Sequence, residues 1–397
     1  MPAKITTKSD LCQVRLPCYS LWTMEKQPRA LMAYMTGTGN TAHAASAIAQ
    51  ELAREGWTVR LAELGREAAP ALEEADLLVL GFPVLGFGMP GLVRGKLKGM
   101  RGCGRPAAVF ATWGGEGTIA LWQACWFLRR KGFRAVAASG ATYPFQWTQV
   151  TPPPAEKTAS GMIEGGEEQA RRFGQMLAAD LGGEGARQPA RMLARMPGTP
   201  LRRAAAFLLT FPFPALYSWI GRSGLAAMYA ADERCRACGN CARDCPAEAI
   251  VLSGTGAARR PRWRASCQGC NRCINLCPRR AVQVSPVRAA VHLLFNSAVI
   301  AGIVIGLNRV AGAAVEAAAA AALSVPGPIM VCGYIAALIA LVVLGSRLQF
   351  AGLERPLFAL ESIPTVRRTI AHSWTARFPR YRCPGFQPAR DERPPLS

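Results

Sequence analysis

The sequence predicts an α/β chain: a doubly wound parallel sheet, then a small α+β domain, then two long apolar helices. Three observations predict it. Short apolar runs alternate with helical stretches from Ala30 to about Leu181. Cysteines crowd into the block from Asp232 to Pro286. Two uncharged segments follow, Ala289–Leu307 and Pro328–Ser346. At 397 residues the chain has room for more than one domain.

Strands are expected at Leu31–Met35, Thr58–Leu61, Leu77–Leu80, Ala107–Ala111 and Ala135–Ala138, and helices at Ala42–Glu55, Ile119–Lys131 and Glu167–Leu181. Strands alternating with helices pair in parallel and are covered on both faces. This first domain is placed at residues 30–183. The leader before it, residues 1–29, has no continuous apolar run and no cleavage-site pattern, so neither a signal peptide nor order is expected there. Gly182–Arg203 is rich in Gly, Pro and Arg and reads as a linker. Arg187, Arg191 and Arg195 recur at every fourth residue, which gives any helix here one basic face. Ala204–Gly221 is uncharged and aromatic but broken by Pro212 and Pro214. Residues 184–230 are therefore read as a basic linker with a membrane-interfacial or re-entrant segment, a buried connector being the other fit.

The two uncharged segments form a hairpin at residues 287–348, each long enough at 1.5 Å rise per residue to cross a bilayer. Arg279, Arg280 and Arg288 precede it, and Arg347, Arg355, Arg367 and Arg368 open the basic tail, residues 349–397. The connector holds only Arg309 and Glu316. The positive-inside rule then places both ends in the cytoplasm, making a two-span protein of the cytoplasmic membrane. Gly302 and Gly306 would let the spans pack closely. His292 is the one histidine in the spans, which disfavours a bis-histidine haem; it suits packing or a quinone contact. The formal charge is +22. Anionic lipid and acidic proteins are the expected partners, and no nucleic acid, since no helix-turn-helix or RNA-binding aromatic signature is present.

Eight of the 14 cysteines fall into two identical spacings: Cys235, Cys238, Cys241, Cys245-Pro246 and Cys267, Cys270, Cys273, Cys277-Pro278. Soft thiolates so spaced let three wrap one 4Fe–4S cubane in a tight loop, while the fourth, just before a proline, turns toward the other cluster. One cluster then takes Cys235, Cys238, Cys241 and Cys277, and the other Cys267, Cys270, Cys273 and Cys245. Zinc favours two separated C-x2-C pairs instead. Two clusters would bring the net charge to roughly +18. Cys12, Cys18, Cys103, Cys125, Cys332 and Cys383 show no ligand spacing and read as ordinary thiols. The block, residues 231–286, resembles the bacterial-type ferredoxin with two 4Fe–4S clusters. It departs from that pattern in the insertion Ser253–Arg264, whose Arg259, Arg260, Arg262 and Arg264 read as a solvated loop or as a docking patch.

Thr36-Gly37-Thr38-Gly39-Asn40-Thr41 follows the first strand and opens the first helix. Its amides and threonine hydroxyls point into one concavity at the positive end of a helix dipole, a cradle for a phosphate dianion without a lysine. A Walker loop would end in Gly-Lys-Ser/Thr. The loop resembles the phosphate-binding loop of flavodoxins, which implies a five-stranded sheet of order 2-1-3-4-5 with FMN at the strand C-termini. The resemblance places the isoalloxazine between the loops Gly81–Gly88 and Thr112–Gly117. There Phe82, Pro83, Phe87 and Trp113 stand as ring contacts, and the amides of Gly114 and Gly115 as hydrogen-bond donors to its edge. Neither loop has the usual Tyr or acidic-aromatic pattern, and a flavodoxin fold without its cofactor is the alternative. Gly86-Phe87-Gly88-Met89-Pro90-Gly91 matches a dinucleotide fingerprint formally, but Pro90 interrupts it and no acidic residue follows at the required distance.

The whole reads as a membrane-tethered electron-transfer protein passing electrons between 4Fe–4S clusters and FMN. Its partners would be an acidic redox carrier, such as a ferredoxin or flavodoxin, and a membrane acceptor such as quinone. An FMN-dependent reductase of a lipophilic substrate and a redox sensor or assembly factor are the alternatives, so enzymatic turnover stays open.

Overall fold

Five strands form the parallel sheet, and their burial follows from their place in it. They are β1 (Arg29–Tyr34), β2 (Thr58–Glu63), β3 (Leu77–Pro83), β4 (Pro106–Trp113) and β5 (Arg134–Thr142), in the spatial order β2-β1-β3-β4-β5. Interior β3 and β4 are near-continuously apolar and buried, as strands covered on both faces must be; edge strand β2, Thr-Val-Arg-Leu-Ala-Glu, is mostly exposed. The order reverses between β1 and β3, and that switch point opens a crevice beyond the strand C-termini. The computed structural model describes residues 27–65, 75–181, 213–256, 259–320 and 327–388, with isolated positions between them. Most of the leader, most of the Gly/Pro/Arg linker and the last nine residues lie outside these.

The chain divides into two units. The first comprises Met1–Phe145, Pro154–Pro214 and Cys383–Gln387; the second comprises Gln146–Pro153, Ala215–Arg382 and Pro388–Ser397. In the first, helices α1 (Asn40–Arg54), α2 (Gly91–Lys96), α3 (Thr118–Arg130) and α4 (Glu156–Leu181) flank the sheet. Ala44, Ile48 and Leu52 of α1 join Ala170, Phe173 and Leu177 of α4 over Met32, Val79 and Phe110. Each large side chain buried this way stabilises the unit by about 1.5–3 kcal/mol. Helix α4 starts eleven residues before the expected Glu167 because three glycines dilute its helical pattern. Gly166 has a packing reason: a Cβ there would stand 2.5 Å from the Tyr143 ring. Gly174 lets α4 approach α1, where a Cβ would meet that of Glu51 at 2.8 Å.

In the second unit, α5 (Arg222–Met228) leads into β6 (Tyr229–Ala231). After it come α6 (Asn240–Arg243), β7 (Ile250–Ser253), β8 (Arg260–Trp263), α7 (Arg272–Asn275) and β9 (Val282–Val284). β6 pairs with β9 and β7 with β8, both antiparallel. The insertion read as a solvated loop or docking patch is thus strand in part: β8 buries Arg260 and Trp263. Helices α8 (Pro286–Ala320) and α9 (Gly327–Leu360) follow, then α10 (Pro364–Ala371).

At the base of α8 a buried ion cluster ties the hairpin to the preceding domain. Arg288 donates to Glu354 and Glu361 of the α9 end, and its Nε donates to Ala227 O at 2.6 Å. His292 Nε2 stands 3.0 Å from Glu354. Beyond α10 the chain returns to β9: Thr375 Oγ1 accepts from Val284 N at 3.1 Å, and Arg380 Nη2 donates to Val282 O at 3.2 Å. Thr375 and Arg380, in the stretch read as a basic tail, are therefore built into the domain.

The expected pair of spans is reproduced in part. Among the described residues one helix is long and apolar enough to cross a membrane, Pro286–Val310, with mean hydropathy 2.1. The apolar stretch in α9 is shorter, Cys332–Gly345.

Candidate electron-transfer site

The eight clustered cysteines sit on a backbone repeated with an offset of 32 residues. Left-handed residues occur at Ala237, Gly239 and Glu248, and again at Gly269, Asn271 and Arg280. The short helices α6 and α7 follow the same offset, beginning at Asn240 and Arg272. So do two N–H···S contacts: Ala249 N donates to Cys245 Sγ and Ala281 N to Cys277 Sγ, each at 3.3 Å. The left-handed residues curl each loop inward so that its sulfurs face a shared interior.

The cysteines fall into two neighbourhoods. Cys241 feels the charges of Cys235, Cys277 and Cys238 most strongly, in that order. Cys267 feels Cys245 and Cys270, and Cys273 feels Cys267 and Cys270. We call Cys235, Cys238, Cys241 and Cys277 the first cage and Cys245, Cys267, Cys270 and Cys273 the second. Burial pushes the thiols of Cys235, Cys241, Cys267 and Cys273 up, and that of Cys245 to about 11. Among the described residues no three His, Cys, Asp or Glu side chains converge on a single metal ion. A cubane takes one thiolate at each of four iron corners, so its ligands surround a volume rather than a point. The donor chemistry fits such a group: eight thiols, with Trp263 hydrogen-bonded to Cys273 and with the buried N–H donors Arg380 Nε and Nη1 lacking an acceptor among the described residues.

The cages differ in surroundings. In the first cage Cys238 is exposed and Cys235, Cys241 and Cys277 are half-buried; in the second Cys270 and Cys273 are half-buried and Cys245 and Cys267 are buried. Polar side chains with no cysteine signature close the second cage. Tyr229 stacks on Trp263 at 5.4 Å, accepts from Gln149 Nε2 at 2.9 Å and donates to Asn271 Oδ1. Asn271 donates to Gln146 O at 2.6 Å and Gln149 Oε1 at 2.8 Å, and Tyr217 donates to Gln268 O at 2.6 Å. Burial, then the nearby thiols, hold both tyrosines far above their usual range, so they remain neutral donors. Sequence reading assigned Gln146–Pro153 to the sheet domain, yet these residues belong to the cysteine unit.

In the first unit, the loop Thr36–Thr41 lies at the switch point as expected, wholly buried at its threonines and at Asn40. Gly39, at φ +109°, donates to Thr36 Oγ1 at 3.1 Å; Thr41 Oγ1 meets Thr112 Oγ1 at 2.7 Å; Asn40 Nδ2 donates to Pro144 O at 2.9 Å. The returning segment Cys383–Gln387 encloses the loop. Cys383 N donates to Thr38 O at 2.9 Å, and a Cβ on Gly39 would collide with Phe386 and Cys383. Cys383, read as an ordinary thiol, is buried against this loop; nothing in its spacing signals that. The loop's hydroxyls and helix-terminal amides fit a phosphate, with the 383–387 segment as one wall.

The ring-contact candidates scatter. Phe82 is fully buried in β3 and offers no open face for stacking; the alternation of β3 turns it into the core. Pro83 ends β3, half-buried. Trp113 is half-buried and lies against Gly117 and Gly140, where an added Cβ would strike its ring. Phe87 is 38% exposed, at φ +61°, with its ring 5.3 Å from that of Phe213. Gly114 lies against Phe145, which the sequence did not single out, and Gly115 is open.

Residues 234–282 match the model of the 4Fe–4S dicluster domain. The chain is similar in structure to a flavodoxin from the domain Archaea, at 17% identity and TM-score 0.30, covering 39% of this chain and 99% of that one. It is similar to oxidised flavodoxin 2 from Bacillus cereus at 21% identity and TM-score 0.28, covering 38% and 98%. Two-electron reduced flavodoxin from Megasphaera elsdenii gives 14% identity and TM-score 0.29, covering 38% and 98%. No curated protein matches the sequence. The strand order β2-β1-β3-β4-β5 is itself the flavodoxin-like order.

Proposed function

We propose that the chain is a membrane-tethered electron-transfer protein carrying two 4Fe–4S clusters and FMN. The observation that carries the reading is the duplicated cage, two sets of four cysteines on one repeated backbone. When bound, the clusters pass single electrons and FMN takes up one or two, so the chain joins one-electron to two-electron carriers. The chain's own residues position these groups. Ala249 and Ala281 amides hold two of the ligand sulfurs, and Tyr229, Asn271 and Gln149 seal the second cage from water. Thr36, Thr38, Asn40 and Thr41 would hold the FMN phosphate, and Phe87, Trp113, Gly114 and Gly115 border the place for its ring.

Membrane tethering is supported by Pro286–Val310, with α9 as the second span and the arginines flanking the pair as the mark of a cytoplasmic orientation. The expected donors and acceptors are acidic carriers, drawn by the basic surface, and a membrane acceptor such as quinone. A second reading, reduction of a lipophilic substrate at the flavin loops, is favoured by the exposed aromatic pair Phe87 and Phe213. Anaerobic dithionite reduction followed by rapid mixing with an oxidised acceptor tests the proposal. Cluster bleaching should be reversed in step with flavin reoxidation, and clusters that stay reduced while flavin turns over would contradict it.

A further inference from the structure

The two cages share a backbone but not a charge environment. Arg380 reaches the first cage from beyond the hairpin. Its Nη2 is fixed to Val282 O at 3.2 Å and Gln283 Oε1 at 3.1 Å. Val282 directly follows Ala281, whose amide holds Cys277 Sγ. The same guanidinium lies within electrostatic reach of Cys277, and its Nε and Nη1 are sealed from solvent with no acceptor among the described residues. A buried charged donor without a partner is costly, and persists where an unseen acceptor takes its place. Buried Arg260, whose Nε is likewise without an acceptor, lies within reach of Cys235.

Other charges sharpen the contrast. Arg234 lies near Cys277, and Arg280 is near Arg380; of the acids beside them, Asp232 is paired with Arg234 and Glu233 with Arg368. The second cage faces Arg222 near Cys267 and Arg272 near Cys245, and is otherwise closed by neutral Tyr217, Tyr229 and Trp263. Reduction adds negative charge to a cluster. Nearby cations and solvent access both favour the reduced form, and both are more abundant around the first cage. N–H donors serve both cages, Ala281 N at Cys277 in the first and Ala249 N and Gly269 N at Cys245 and Cys267 in the second.

We propose that Arg380 donates from Nε and Nη1 to the sulfurs of the first cage, and that the first cage holds the higher-potential cluster. An electron arriving at the second cage then moves downhill to the first, oxidising one core and reducing the other by one electron. The inference rests on the two-cluster reading. It deepens that reading by giving the pair an order, and it makes Arg380 a positioning residue contributed by the segment after the membrane hairpin.

The test is an anaerobic redox titration followed by EPR on the full chain in detergent, after iron and sulfide have been counted. Arg380→Gln should lower the higher midpoint potential by about 59 mV, a tenfold change in the one-electron equilibrium, and leave the lower one in place. Arg380→Lys, which keeps the charge but loses the fork, should shift it less, and Trp263→Phe should move only the lower potential. Unchanged potentials in Arg380→Gln, or a shift confined to the lower one, would overturn the assignment. Should Arg380→Gln lose a cluster on purification, Arg260→Gln carries the same test, with a fall in the higher potential expected and no change overturning it. A wild-type count below two cubanes overturns the two-cluster reading itself, before any potential is measured.

Discussion

The two halves of the cysteine block show how much one repeated backbone leaves open. Left-handed turns, helix starts and N–H···S contacts recur 32 residues apart, yet one half faces solvent and arginines while the other is sealed by tyrosines, a tryptophan and Asn271. Ligand spacing specifies the cage. The residues around it, drawn from distant parts of the chain, specify what the cage does with an electron.

The largest effects should come from removing ligands. Cys241→Ala and Cys273→Ala should each halve the iron content, and each should abolish a different one of the two EPR signals. Loss of both signals in either variant would mean that the cages do not assemble independently. Next come the matched turn positions. Gly269→Ala should destabilise the holoprotein by about 2 kcal/mol or more, because a left-handed alanine is strained and its Cβ would stand 2.5 Å from Tyr217 Oη. Its counterpart Ala237→Gly should stabilise by about 1 kcal/mol, since Ala237 already has φ +52°. Thermal loss of cluster absorbance reads both. Asn271→Gly keeps the turn but drops the hydrogen bonds to Gln146 and Gln149, at a cost of about 1–3 kcal/mol. The same assay should find Gly239→Ala milder than Gly269→Ala if the seal, rather than the turn, distinguishes the halves.

The smallest effect concerns a thiol outside both cages. Burial pushes Cys125 in α3 up to about 12, with Arg129 opposing the shift. A folded pKa above the unfolded one means that the native state holds the proton longer. Stability is then intact below about pH 9 and falls as pH rises toward 12, by up to about 1.4 kcal/mol per pH unit. Chemical unfolding in detergent at pH 8 and pH 10 should show a loss that Cys125→Ala reduces.

Much of this was legible in the sequence. The strand–helix alternation gave the sheet, because interior parallel strands must be apolar throughout. The cysteine spacing gave the cages, because thiolate geometry leaves few alternatives. What the sequence hid was tertiary. Nothing local marks Arg380, Cys383 or Phe386, near the chain's end, as neighbours of a cage and of the phosphate loop. Gln146–Pro153 reads as a loop until Asn271 is seen holding it. Phe82 looked available for a flavin because the loop lists it, while strand alternation sends it inward. Asn271 was recoverable: aligning the two motifs places it opposite Gly239, where a non-glycine in a left-handed turn asks for a reason.

The most direct measurement is an iron and sulfide count with low-temperature EPR on anaerobically purified full-length protein. The account predicts two reducible cubanes per chain with distinct, interacting signals. Zinc in place of iron, or a single cubane, would contradict it.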